Sequence, residues 1–167
     1  MTLPEGRRHV LLEELEAARA RFVAAVADVE QELFTVPGLM EAWSARDLVE
    51  HVAFWSDHGA DALDLATSGR GGDFGYDSSQ TDALNAVTLA HAATLTQADV
   101  LEHEQAAFRR FRDSLAAIDP ALLDLVLGNG DAVEAVVRYD GPDHYDEHTE
   151  HIRAWFDGQN QPDEDDA

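Results

Sequence analysis

Read from its amino end, the chain repeats apolar and polar positions with the period of an α-helix. Leu11, Leu15, Ala18, Phe22, Val26, Val29 and Leu33 recur at three- and four-residue steps, one narrow apolar stripe on a helix predicted from about Arg7 to Phe34. Glu13, Glu16, Arg19 and Glu30 fall on the opposite face, and Pro37-Gly38 turns the chain. A second helix is predicted from Ser44, an N-cap with Asp47 three residues on, to about Thr67; Leu48, Val52, Trp55, Ala62, Leu63 and Ala66 face inward. A third helical region divides at Thr94-Leu95-Thr96. Its first piece covers about Asp82 to Ala93, and its second, behind a cap of Thr96 and Asp99, runs to Ile118 with Leu101, Phe108, Phe111, Leu115 and Ile118 on one side. Asp119-Pro120 closes that piece, and Ala121 to Leu127 reads as a short helical turn. Gly128-Asn129-Gly130 carries a hairpin signal without a strand before it, and the Val-rich stretch Ala132 to Tyr139 is read as helix from its context. The last helix runs from Pro142 to Asp157, with Pro at its first position and Gly158 just past its end. No strand pair is compelling, so the fold class is all-α, a four-helix bundle with extra short helices in the loops.

Composition narrows the function classes. The 167 residues are 45% apolar, enough for one cored domain, expected over 1–158, with an acidic tail at 159–167 expected to be disordered. Net charge is -23, and all 11 basic residues are Arg. Such a surface repels phosphate backbones and anionic membrane faces, so neither nucleic acid nor membrane is an expected partner. The absence of Cys removes disulfides, thiolate metal sites and cysteine nucleophiles. No apolar run is long enough to span a bilayer and no signal-peptide pattern opens the chain, so the expected location is cytoplasmic. The glycine-rich stretch from Gly69 to Gly75 lacks the preceding strand and the Lys of a phosphate cradle and reads as a flexible connection.

The candidate chemistry is in the histidines. His144, His148 and His151 lie on one side of the last helix, and at roughly 100° per residue Tyr145, His148, Ile152, Trp155 and Phe156 define its buried face. His148 sits inside that sector and His144 at its edge, while His151 lies farther out, toward solvent or a partner group. Two imidazoles one turn apart are a bidentate anchor for a divalent transition metal; the competing reading is two half-buried rings bonded to carboxylates such as Asp47 or Glu50. His51, on the flank of the second helix's buried stripe, can reach a metal anchored elsewhere in a bundle. His9, His91 and His103 show no partner pattern. Glu104 interrupts the stripe of its helix, either partly exposed near the helix start or aimed into a cavity.

Two stretches carry a resemblance. Trp43 to Trp55 (WSARDLVEHVAFW) and His144 to Phe156 (HYDEHTEHIRAWF), with the order and spacing of the helices between them, resemble the DinB-like (YfiT-like) superfamily of four-helix bundles over roughly Leu11 to Gly158. The resemblance implies an up-down-down-up bundle and a divalent metal, zinc or nickel, bound by His51, His144 and His148. The related mycothiol-dependent maleylpyruvate isomerases have Glu where this chain has His144, which weakens the likeness to that enzyme. Three protein ligands leave a position for water or substrate, so the expected function is a metal-dependent enzyme that turns water or a low-molecular-weight thiol against a small-molecule electrophile, as hydrolase or thiol transferase/isomerase. Glu104 or His58 would serve as a base behind the metal ligands, and core packing is the first expectation for Trp43, Trp55 and Tyr145, with pocket walls as the functional alternative for all three. Relatives are often dimers, so the resemblance allows a homodimer, although no exposed apolar helix face in the sequence argues for one. The competing class is a non-catalytic metal- or ligand-binding stress-response protein.

Overall fold

The computed structural model describes residues 3–159, so all but the first residue of the expected acidic tail lies outside the described residues. Four long helices form the bundle: α1 (Pro4–Ala27), α2 (Ala45–Thr67), α4 (Gln97–Ala117) and α6 (Pro142–Gln159). Two shorter ones, α3 (Thr81–Ala92) and α5 (Val133–Asp140), lie in the connections. Among the described residues there is no strand, only isolated bridges at Met40–Trp43 and Val126–Ala132. None of the described helices is long and apolar enough to cross a membrane.

The ends of the helices follow their capping chemistry. Ser44 Oγ accepts the Asp47 N–H at 3.3 Å while Asp47 accepts the Ser44 N–H at 2.9 Å, and Thr96 and Asp99 repeat the exchange at α4. Gly69, at φ 73°, ends α2; its N–H reaches Ala66 O and the Arg70 N–H reaches Leu65 O, so a left-handed residue satisfies the last carbonyls. Helix α1 stops at Ala27, short of the predicted Phe34. A straight helix would have carried Phe34 about 100° away from the stripe. Instead a 3₁₀ turn at Gln31–Leu33 lets Phe34, 1% exposed, enter the core, where its carbonyl accepts the Arg46 N–H at 3.0 Å. In α4 the inward position is Val100, and Leu101, placed in the stripe by its spacing, is 37% exposed beside α1.

Pairs of side chains across the helices fix the topology. Arg8 with the Ile118 carbonyl and Arg19 with Glu104 run α1 against α4 in opposite directions. Glu50 with His103 and Asp64 with Ser114 make α2 and α4 parallel, as Arg21 with Asp146 and Arg153 with Asp28 do for α1 and α6. His51 with His148 and Ser56 with Tyr145 make α2 and α6 antiparallel. The order is up, down, down, up. One core of Leu11, Leu15, Phe22, Leu48, Leu63, Phe111, Leu115 and Ile152, each essentially fully buried, holds the four together.

The glycine-rich stretch is a docked connection. It forms a 3₁₀ turn at Gly71–Asp73, and the Gly128 N–H donates to Gly71 O at 2.9 Å. A Cβ on Gly128 would overlap the Gly72 carbonyl oxygen and lie 2.8 Å from that of Phe74, so the two backbones touch because no side chain intervenes. Gly128→Ala is predicted to cost about 1–3 kcal/mol, a fall in Tm of roughly 2–4 °C for each kcal/mol in a chain of this size. Gly72→Ala, whose Cβ meets open space, should change stability by less than about 0.5 kcal/mol in the same thermal melts.

Candidate metal centre

Chemistry collects where α2 crosses α6. Gly141 and Pro142 break α5 from α6, which starts the last helix so that His144 and His148, one turn apart, face α2. From α2, His51 meets them. The His51 Nε2 lies 2.9 Å from His144 Nε2 and 3.1 Å from His148 Nε2, and the last two are 2.9 Å apart. His51 and His148 are buried, at 5% and 4% exposure, and His144 is half-buried.

Three such contacts cannot all be hydrogen bonds. Each Nε2 has one in-plane orbital, holding either a proton or a lone pair, so at least one contact of the three always sets proton against proton or lone pair against lone pair. The rings are also neutral. Burial pushes His51 down to about 4, and burial with the neighbouring His51 and His151 rings pushes His148 down to about 2. Burial first, then His148 and His51, lowers His144 well below its ordinary value. The Nδ1 atoms of His51 and His144 are buried without a hydrogen-bond partner among the described residues. His148 Nδ1 stands 3.1 Å from His151 Nδ1, so one of the two donates to the other, and with His148 as donor its Nε2 lone pair faces inward. Three inward Nε2 atoms within about 3 Å of one another fit one divalent ion, whose bonds to imidazole nitrogen are about 2.0–2.1 Å.

The carboxylates nearest His51 in sequence are engaged elsewhere. Asp47 caps its helix, and Glu50, 2% exposed, faces His103. So the reading of imidazoles bonded to Asp47 or Glu50 does not describe this cluster.

The other sequence-predicted residues divide. Trp43 and Trp55 line the cleft of about 350 Å³ onto which the three imidazoles open. Trp43 sets its ring edgewise on His51 at 4.8 Å, and Trp55 Nε1 donates to Asn85 Oδ1 at 3.0 Å. Tyr145 points the other way, fully buried against Phe22 and Phe108. Its hydroxyl donates to Glu104 Oε1 at 2.8 Å and accepts from Ser56 at 3.1 Å. Glu104 is inward, at 3% exposure, yet its oxygens bind the Arg19 guanidinium at 2.8 and 3.1 Å and border a separate cavity between α1 and α4. A carboxylate committed to that pair is in no position to serve the imidazole cleft. His58 is enclosed by Trp55, Phe74 and Tyr76, with ring centroids 4.7–4.9 Å away, and its Nδ1 lies 2.6 Å from Asp140 Oδ2. Asp140 lines the cleft, and His58 acts on it from behind.

The sequence reading missed Asn85, Asp140, Tyr76 and Glu147, which also line the cleft. Only Glu147 stood beside a recognised motif. His103, read as unpartnered, is clamped between Glu50 Oε1 at 2.9 Å and Asp57 Oδ2 at 2.9 Å.

The match to known families follows this geometry. The family model described as "Mycothiol maleylpyruvate isomerase N-terminal domain" matches residues 15–151. The chain belongs to that family. It is a DinB-like bundle, and the three imidazoles come from the two stretches that carried the resemblance. The structure is similar to that of an uncharacterised protein from Escherichia coli UTI89, with a TM-score of 0.78 and 15% identity over 93% of this chain and 95% of that one, a likeness of fold. No curated protein matches the chain.

The His103 clamp gives the bundle a measurable pH dependence. Hydrogen bonds to Asp57 and then Glu50, working against burial, push His103 from 6.5 up to about 10. A folded value raised above the unfolded one stabilises fully below 6.5 and is lost as pH rises toward 10. Without Lys or Cys in the chain, few other side chains titrate in that window. Stability is predicted to fall by about 1 kcal/mol between neutral pH and pH ~10, a figure already discounted for solvent screening of the half-exposed ring. Urea melts across the window should lose this slope in His103→Gln.

Proposed function

We propose that His51, His144 and His148 hold one divalent metal, zinc or nickel, and that the cleft above them is the substrate site of a metal-dependent enzyme. The reaction is attack by water or a low-molecular-weight thiol on a small electrophile, a hydrolysis or a thiol transfer or isomerisation. The observation that carries this reading is the closing of three neutral ring nitrogens to within 3.1 Å of one another with no proton arrangement that satisfies them. Membership of a family named for a mycothiol-dependent isomerase supports the thiol as one nucleophile.

When bound, the ion would supply Lewis acidity, bringing the ionisation of water or a thiol toward neutral pH. The chain's own residues do the rest. His151 holds His148 in the tautomer that presents Nε2, and the edge of Trp43 fixes the plane of His51. Asn85 anchors the Trp55 indole at the cleft wall, so a bound molecule meets a rigid aromatic surface on one side and the imidazoles on the other. The lining rings restrict water at the reacting end, which strengthens every polar interaction there.

Protein prepared without a histidine tag should carry about one equivalent of zinc or nickel by elemental analysis, and His148→Ala should lose it while keeping its helical circular dichroism. His151→Ala should retain the ligands and bind metal roughly 10–100-fold more weakly. No metal in the wild type after reconstitution would end the metal reading. Metal-loaded protein that leaves a panel of electrophiles unchanged, with and without added thiols, would leave a binding protein without catalysis.

A further inference from the structure

The charges and surfaces around the imidazoles define what the cleft accepts. Four aromatic rings, Trp43, Trp55, Tyr76 and Tyr139, share its lining with two carboxylates, Asp140 and Glu147. No Arg lines it among the described residues, and the chain has no Lys. Asp140 is 2% exposed. Its Oδ2 is held by His58 Nδ1 at 2.6 Å, and its Oδ1 carries no hydrogen bond among the described residues. The same His58 ring touches Trp55 at 4.9 Å and Tyr76 at 4.7 Å, so an indole, a phenol and a buried carboxylate gather round one neighbour. The Trp55 and Tyr76 rings stand 5.3 Å apart at 73°, two walls of a corner. Aromatic faces beside a fixed carboxylate attract an organic cation and repel an anion.

We infer that the cleft takes a small molecule carrying a positively charged ammonium group. The ammonium lies in the corner of Trp55 and Tyr76 against Asp140, and the reacting end is directed at the three imidazoles. This rests on reading the cleft as the substrate site, and it adds the substrate's charge class. Glu147, exposed near the cleft mouth and one residue before His148, adds to the same field.

The test uses three probes of one shape: choline, its uncharged carbon isostere neohexanol, and the anion tert-butylacetate. A quaternary nitrogen cannot ligate a metal, and choline and neohexanol carry the same hydroxyl, so the difference between them reports the corner. In a Trp155→Phe background the remaining indoles, Trp43 and Trp55, both line the cleft, and quenching of their fluorescence reads binding in metal-loaded and metal-stripped protein. Choline is expected to bind roughly tenfold or more tightly than neohexanol in metal-stripped protein, where it also outbinds tert-butylacetate, and the bound ion should narrow both preferences. Asp140→Asn should abolish most of that preference, and Glu147→Gln, on the surface, should reduce it about two- to threefold while the fold is untouched. In metal-stripped protein, equal affinity for choline and neohexanol, a preference for the anion, or no binding of any probe at millimolar concentration would overturn the inference. Elemental analysis of the same samples keeps the two readings apart. A choline preference without metal sinks the metal centre alone, and one equivalent of metal without a choline preference sinks this inference alone.

Discussion

Three imidazole nitrogens that cannot satisfy one another are held together by the crossing of α2 and α6, and the rest of the molecule is arranged to keep that crossing in place. Separated in water, each ring would be hydrated. Packed here, they lose that water and gain, from the protein, one hydrogen bond on the outside of His148. Two buried Nδ1 atoms are left over, each a cost of about 1–3 kcal/mol. The core supplies the compensation through Leu48, Val52, Leu63 and Ile152, fully buried on the same two helices. A cluster that hydrophobic packing must force together is poor as a structural device and well suited to receiving a ligand.

Charge is managed by the same economy of means. With no Lys in the chain, many interhelix polar ties are guanidinium–carboxylate pairs: Arg19 to Glu104, Arg21 to Asp146, Arg110 to Asp61 and Asp64, Arg153 to Asp28. The exposed ones add little stability one by one, but they choose which helix lies beside which and in which direction. Inside, Ser56, Tyr145, Glu104 and Arg19 form a continuous hydrogen-bonded chain across the core from α2 to α1. Every member has a partner, the condition under which buried polar groups fix one packing over others.

How much of this could be read from residues alone depended on whether the signal was local. The capping pairs at Ser44 and Thr96, the Pro142 start and the stripes of α2 and α6 are written within a few positions, and they appear with nearly the expected bounds. The three imidazoles were legible because each lies within a recognisable stretch and close to a buried sector. Tyr145 packs in the core, as its first expectation had it, and Glu104 points inward at Arg19 rather than into the imidazole cleft, since helical angle tells how deep a residue lies and not which neighbour it meets. Asn85, Asp140 and the His103 clamp left no mark in sequence, because each gains its role from a partner about 30 to 80 positions away. The end of α1 was missed for a similar reason: the pull of Phe34 into the core outweighs a periodicity that would have continued.

The parallel course of α2 and α4 obliges the chain to travel back along the bundle between them, and that return stretch is where Tyr76, Thr81 and Asn85 come from. The helices that carry the imidazoles and the wall opposite them are therefore separate pieces of chain under separate constraints. Rewriting the return stretch would remodel the shape of the cleft while the imidazole triangle stayed as it is, so one scaffold can be given new surroundings by changes in a connection.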